Sequence, residues 1–211
     1  IAEIENNKII KITEKPKNPP TNLAVTGIYF LTPYIFEVIK KLKPSWRNEL
    51  EIADALQILV EEDKKIIYGI ITDFWKDTGT PNDIIEANRI ILENLPGSFQ
   101  GKKEEDVFLK GKIIVKQGTS IKNGVKILGP VIIGENCIIE NNTVINGNTS
   151  IGKNSHLSGC NISNSIIMEN CIIKGKLTIK NSIIASNSKI IKGQNENEKK
   201  FLLGEGTQIS L

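Results

Sequence analysis

Residues 115–157 read VKQGTS IKNGVK ILGPVI IGENCI IENNTV INGNTS IGKNSH L, and the fold turns on them. An aliphatic residue stands at every sixth position: Val115, Ile121, Ile127, Ile133, Ile139, Ile145, Ile151 and Leu157. Two places before the last seven of these stand small or β-branched residues: Thr119, Val125, Val131, Cys137, Thr143, Thr149 and Ser155. A helix repeats at 3.6 residues and a simple strand at 2, so neither produces this spacing. A fixed six-residue period is the signature of a hexapeptide β-helix. Each hexad supplies one short strand with its aliphatic residue inward, and Gly or Asn manages the turn. Stacked coils bury the aliphatic column and pair their backbones, which no single hexad achieves alone. The register breaks after Leu157 and resumes at Ile167, Ile173 and Ile179, then again at Leu203 and Ile209 beyond the polar stretch 194–200. The breaks predict loops thrown out between coils.

Outward from this repeat, the first 95 residues follow other periods. Residues 8–13 and 22–31 are predicted strands. Thr32-Pro33 predicts a helix start, with Ile35, Phe36, Ile39 and Leu42 as its apolar face and Pro44 as its stop. A second helix is predicted over 49–61 and a strand over 65–71. Thr80-Pro81-Asn82-Asp83 has the form of a capping box opening a third helix, which Pro96-Gly97 ends. This is α/β material. The reading divides the chain into an α/β part at 1–95, a linker at 96–112 and a β-helix at 113–211.

Composition narrows the function classes. The 211 residues carry 27 Lys plus Arg against 24 Asp plus Glu, a net charge of +3, with no long like-charge block. That pattern argues against a nucleic-acid groove or a polybasic membrane patch. No apolar run approaches a membrane span and no secretory signal is visible. Cys137, Cys160 and Cys171 are odd in number and widely spaced, which argues against a disulfide framework or a zinc site and for a cytoplasmic protein. Cys137 and Cys171 fall at the small inward position of the repeat and read as core packing.

The α/β half carries a set of words in order: Glu14-Lys15-Pro16; Asn22-Leu23-Ala24-Val25-Thr26-Gly27-Ile28-Tyr29; Leu42-Lys43-Pro44-Ser45-Trp46-Arg47; Glu49-Leu50-Glu51-Ile52; and Trp75-Lys76-Asp77-Thr78-Gly79-Thr80-Pro81. Together they resemble the C-terminal half of the glucose-1-phosphate thymidylyltransferases, which are sugar-nucleotide pyrophosphorylases. The repeat resembles the added left-handed parallel β-helix of that family's long form. The resemblance implies the C-terminal half of a Rossmann-like nucleotidyltransferase domain followed by the β-helix. It implies a reaction joining a sugar 1-phosphate to a nucleoside triphosphate with Mg²⁺ as cofactor. By resemblance, Lys15 holds the sugar phosphate, Glu14 the sugar hydroxyls, Val25 and Gly27 the sugar through backbone, and Asp77 the metal. Lys15 and Asp77 are thus the catalytic candidates. Trp75 either walls the sugar pocket or sits in the core.

The residue chemistry is compatible with these roles. A sugar phosphate needs a cation for its phosphate and an acceptor for its hydroxyls. Neighbours on a strand point to opposite faces, so Glu14 and Lys15 can serve one ligand only where the strand ends or bends. Mg²⁺ takes one or two carboxylates plus phosphate oxygens and water. Asn48 stands where the family usually has Gly, and Ala53 where Thr is common. The family's Gly-rich, Arg-containing nucleotide loop and its first metal aspartate have no counterpart in these residues, so the chain alone is expected not to turn over. It opens on Ile1 and reads at once as mid-domain sequence, which predicts about 140 further residues, in this polypeptide or another chain.

Two other function classes remain in play. Hexapeptide proteins often transfer acetyl groups with a His as general base. His156 is the one histidine, next to inward Leu157 and so facing outward, where it also suits an ordinary surface position. The β-helix is otherwise an assembly module that makes a homo-oligomer.

Overall fold

The computed structural model describes residues 1–192 and the strand Phe201–Leu202. The chain divides into two compact units, Ile1–Phe74 and Trp75–Leu211.

In the first unit, β1 (Ala2–Glu5) and β2 (Lys8–Ile12) form an antiparallel hairpin. The Asn6-Asn7 turn has φ of 48° and 61°, the positive pair that a two-residue turn matching strand twist demands. Helix α1 (Ile35–Ile39) and helix α2 (Ile52–Glu61) pack nearby. Ile12 of β2 meets Ala53 and Leu56 of α2, and Ile35 and Val38 of α1 meet Ala55. The side-chain carbonyl of Gln57 accepts the Ile12 amide at 2.8 Å, standing in for a ladder partner at the sheet edge.

Four expectations for this unit need correction. Residues 22–31 and 65–71 form no strand. Their β-branched and apolar composition suits a strand, but a strand exists only where a neighbour completes the ladder. Among the described residues none does, and Phe30 is left 98% exposed and Ile67 81% exposed. The segment is tied to β1 at one end only, where the Ala2 amide donates to the Leu23 carbonyl at 2.9 Å. Helix α1 begins at Ile35, not at Pro33, because Thr32 offers its carbonyl to the Ile35 amide and makes a turn. Helix α2 begins at Ile52, three residues later than expected.

The second unit is a parallel β-solenoid of about five turns, preceded by helix α3 (Pro81–Asn94). Its three faces hold six, seven and five described strands. Ile121 pairs with Ile139 and Ile139 with Leu157, eighteen residues on each time, so three hexads make one coil. The inward column is fully buried from Ile121 through Ile127, Ile133, Ile139 and Ile145, as the six-residue period requires. The corners are turned by residues at positive φ, mostly asparagine: Asn136, Asn142, Asn148 and Asn154 along the regular coils.

The break after Leu157 is not a loop. The inward column continues as Leu157, Ile162, Ile167, Ile173, Ile179, Ile184 and Ile190, so three steps are five residues long instead of six. One turn residue is lost at each short step and the ladder is kept. The second predicted break, with Leu203 and Ile209, lies outside the described residues.

Residues 96–112 are likewise more than a linker. Ser98–Phe99 pairs with Ile114 and Val115, Lys102–Lys103 with Ser120 and Ile121, and Phe108–Lys110 with the strand Lys126–Leu128. This is the first coil of the solenoid. Its inward positions are Phe99, Lys103 and Leu109, which break the isoleucine pattern because the coil closes an end of the stack and has a neighbour on one side only.

Helix α3 has the predicted capping box. The Thr80 hydroxyl accepts from the Asp83 amide, the Asp83 carboxylate accepts from the Thr80 amide, and Pro81 occupies the first turn. Ile85 and Leu92 are buried, whereas Ile84 and Ile91 face solvent. No helix among the described residues is long and apolar enough to cross a membrane.

Candidate active site

The chain leaves β2 at Ile12, and the two candidate residues follow at once. Lys15 has φ of 37°, a left-handed conformation uncommon for a residue with a Cβ. The backbone therefore bends at the Glu14-Lys15 pair, the condition under which neighbours can face one ligand. Glu14 Oε1 lies 3.7 Å from Arg47 Nη1. The same guanidinium lies 2.9 Å from Glu49 Oε2 and 3.3 Å from Glu51 Oε1. Glu51 is buried, and the Ser45 hydroxyl donates to it at 2.9 Å. Burial, with the Glu14 carboxylate nearby, pushes the Tyr29 hydroxyl above its ordinary pKa. Arg47 and Tyr29 are the neighbours of Glu14 that were not singled out, although both stand inside the quoted words. The sequence shows Arg47 close to Glu49 and Glu51, whereas the approach of Glu14 to the same guanidinium shows only in the fold.

Val25 is exposed. A Cβ built on Gly27 meets nothing within 4 Å, so packing within the chain does not require glycine there.

Trp75 and Asp77 belong to the second unit. Trp75 is 46% exposed and is no core residue. Asp77 is exposed in the loop ahead of α3, and among the described residues its carboxylate has no ion-pair or hydrogen-bond partner. Lys76 Nζ lies 2.7 Å from Asp83 Oδ1 and ties the loop to the first turn of α3. Hydrogen bonding with Lys76, then with Thr80, holds the Asp83 carboxyl below the usual carboxylate range. Among the described residues no three His, Cys, Asp or Glu side chains cluster as a metal cage. A single free carboxylate nonetheless fits Mg²⁺, whose other ligands are phosphate oxygens and water.

On the solenoid, His156 stands in the outward column between Ile138 and Ile172, half-buried. Its Nε2 lies 2.8 Å from Glu140 Oε1. The Ser158 side chain, then His156, hold the Glu140 carboxyl below its ordinary pKa. The three cysteines are free and buried, and burial pushes the Cys160 thiol up to about 11. Cys137 and Cys171 pack in the small inward column, as expected, and Cys160 is buried likewise.

Comparison with known proteins adds to this geometry. Residues 1–94 match the model of the nucleotidyl transferase family. Over that stretch the chain is similar to nucleotidyl transferase domains. Residues 127–210 match the model described as the GMPPB C-terminal domain. The chain is 42% identical over 114 residues to the low-salt glycan biosynthesis nucleotidyltransferase Agl11 of Haloferax volcanii, covering 54% of this chain and 32% of that protein. It is 37% identical over 122 residues to a glucose-1-phosphate thymidylyltransferase of Streptomyces antibioticus, covering 57% and 34%. It is 43% identical over 115 residues to the bifunctional protein GlmU of Methanocaldococcus jannaschii, covering 54% and 28%. The chain spans about a third of the length of the curated relatives it matches. The nucleotidyl transferase match does not favour the acyltransferase alternative at His156.

Proposed function

We propose that these residues form the sugar-side part of a sugar 1-phosphate nucleotidyltransferase, of the type that makes dTDP-glucose from dTTP and glucose 1-phosphate. The observation that carries this reading is the coincidence of the family match at 1–94 with the five sequence words in order. In this reading the Lys15 ammonium binds the sugar phosphate and the Glu14 carboxylate accepts from a sugar hydroxyl. The bend at Lys15 lets both face the same ligand. Backbone at Val25 and Gly27 lines the sugar, and Trp75 offers an apolar wall. Asp77 would hold Mg²⁺, which when bound screens the triphosphate and stabilises charge at the α-phosphorus. Lys15 keeps the sugar phosphate oriented for attack, which is the proximity part of catalysis.

Titration calorimetry of the 211-residue chain with glucose 1-phosphate tests the sugar side. Lys15→Ala is expected to weaken binding at least tenfold, because a charge-assisted contact to phosphate is lost. Unchanged binding sinks the assignment. Pyrophosphate release from dTTP or UTP, with a panel of sugar 1-phosphates, by a polypeptide of the relatives' full length identifies the base and sugar. Release by the 211 residues alone overturns the partial-site reading. The three free thiols support a cytoplasmic setting. The flat solenoid faces support self-association, which light scattering reads directly.

A further inference from the structure

Helix α3 is bolted to the solenoid. Ile85 and Leu92 are buried, and between them on the same helical face stands Asn88, a polar residue in an apolar seam. Asn88 Nδ2 donates to the Asn148 carbonyl at 2.9 Å, and Asn88 Oδ1 accepts from the Ser150 hydroxyl. The outward column of the face beneath runs Ser98, Ile114, Ile132, Ser150, Ile166, Ile183. Serine thus replaces isoleucine at the place where Asn88 lands. A second tie closes the other end, where the Lys112 ammonium donates to the Glu93 carbonyl at 2.6 Å in the last turn of α3. If the helix slid by one turn, both ends of the Asn88 amide would lose their partners. Such a pair fixes register where apolar contact alone would allow slippage.

At its other end, α3 holds the loop that leads into it. Lys76 reaches Asp83, and Asp83 closes the capping box with Thr80. Asp77 lies between these anchors. We propose that the solenoid is the platform that sets the position of the Trp75–Pro81 loop, with Asn88 as the positioning residue. The β-helix then contributes to the site itself, beyond any role in assembly. The catalytic meaning of this rests on Asp77 as metal ligand; the mechanical coupling does not.

Hydrogen exchange on the full 211-residue chain tests it. Asn88→Ala is expected to speed exchange of amides 82–94 on the order of tenfold, the loss of two net hydrogen bonds. It should also raise acrylamide quenching of Trp75 in a Trp46→Phe background, and leave strands at 131–157 as protected as before. The double variant Asn88→Leu with Ser150→Ile replaces the polar pair with an apolar contact and restores both readouts. Unchanged exchange and quenching in Asn88→Ala overturn the proposal, and so does equal loosening of α3 and the solenoid. Mn²⁺ binding is measured separately, with glucose 1-phosphate present to supply phosphate oxygens. Asp77→Asn is expected to abolish it without changing exchange in α3, while Asn88→Ala weakens it severalfold. Mn²⁺ binding retained in Asp77→Asn sinks the ligand assignment, and the platform then stands or falls on the exchange result.

Discussion

Ile138 and Ile139 are adjacent, chemically identical and assigned to opposite sides of one strand. Ile139 is fully buried, with Ile121 and Leu157 above and below it, whereas Ile138 is 42% exposed between Ser120 and His156. Substituting threonine at each keeps the β-branch, so the local strand preference largely cancels. Inside, Ile139→Thr removes about one buried methylene, worth about 0.8 kcal/mol. It also leaves a hydroxyl without a partner, worth about 1–3 kcal/mol. The ladders hold the coils apart, so the site cannot collapse to recover contact. A cost of about 3 kcal/mol is expected, roughly a hundredfold in the folding equilibrium. Outside, Ile138→Thr is expected to change stability by about 0.5 kcal/mol or less. Urea denaturation followed by far-ultraviolet circular dichroism measures both, provided the slopes agree. Equal costs, or the larger cost at Ile138, would refute the assignment of faces, because a one-residue slip exchanges inside and outside.

Other expectations follow from named contacts. Thr80→Ala removes the cap of α3 and should cost about 1 kcal/mol in thermal denaturation; no loss in melting temperature would contradict the capping box. The Asp83 carboxyl is held below its unfolded value, so its contribution is present above that value and lost as pH falls through the folded one. The protection of the first-turn amides of α3, relative to their intrinsic exchange rates, should therefore fall below about pH 4, and Asp83→Asn should remove that pH dependence. With Cys160 pushed up to about 11 and all three thiols buried, Ellman's reagent at pH 8 should react with none of them until denaturant is added, then with three. Fast labelling of the native chain would contradict the packing of the columns.

The regular coils were legible because a six-residue period leaves no other solution. The shortened coils were hidden because losing one turn residue changes spacing while the ladder continues, and spacing alone cannot tell a shorter corner from a loop. The first coil escaped because its inward residues include Lys103, tolerated only at an end of the stack. Residues 22–31 and 65–71 read as strands from their side chains, but strand is a property of a pair and the pairing partner was never in view. Asn88 was invisible for a related reason. A lone asparagine on an amphipathic helix reads as solvent-facing until Ser150, far along the chain, is brought beneath it. The bend at Glu14-Lys15 was legible through Pro16, whereas the convergence of Glu14, Glu49 and Glu51 on Arg47 needed the fold.

The equal coils between Ile121 and Leu157 have a consequence for how such a chain can change length. Inserting or removing one eighteen-residue block there returns every later strand to its own face, so the prism can be lengthened in whole units by duplication without redesign. From Leu157 onward the steps are unequal, and a block cut at the wrong corner would rotate every later side chain onto a different wall. Ser150 lies in the interchangeable part. Any duplicated block spanning it would carry a second berth for α3, and the helix would have two equivalent places to dock.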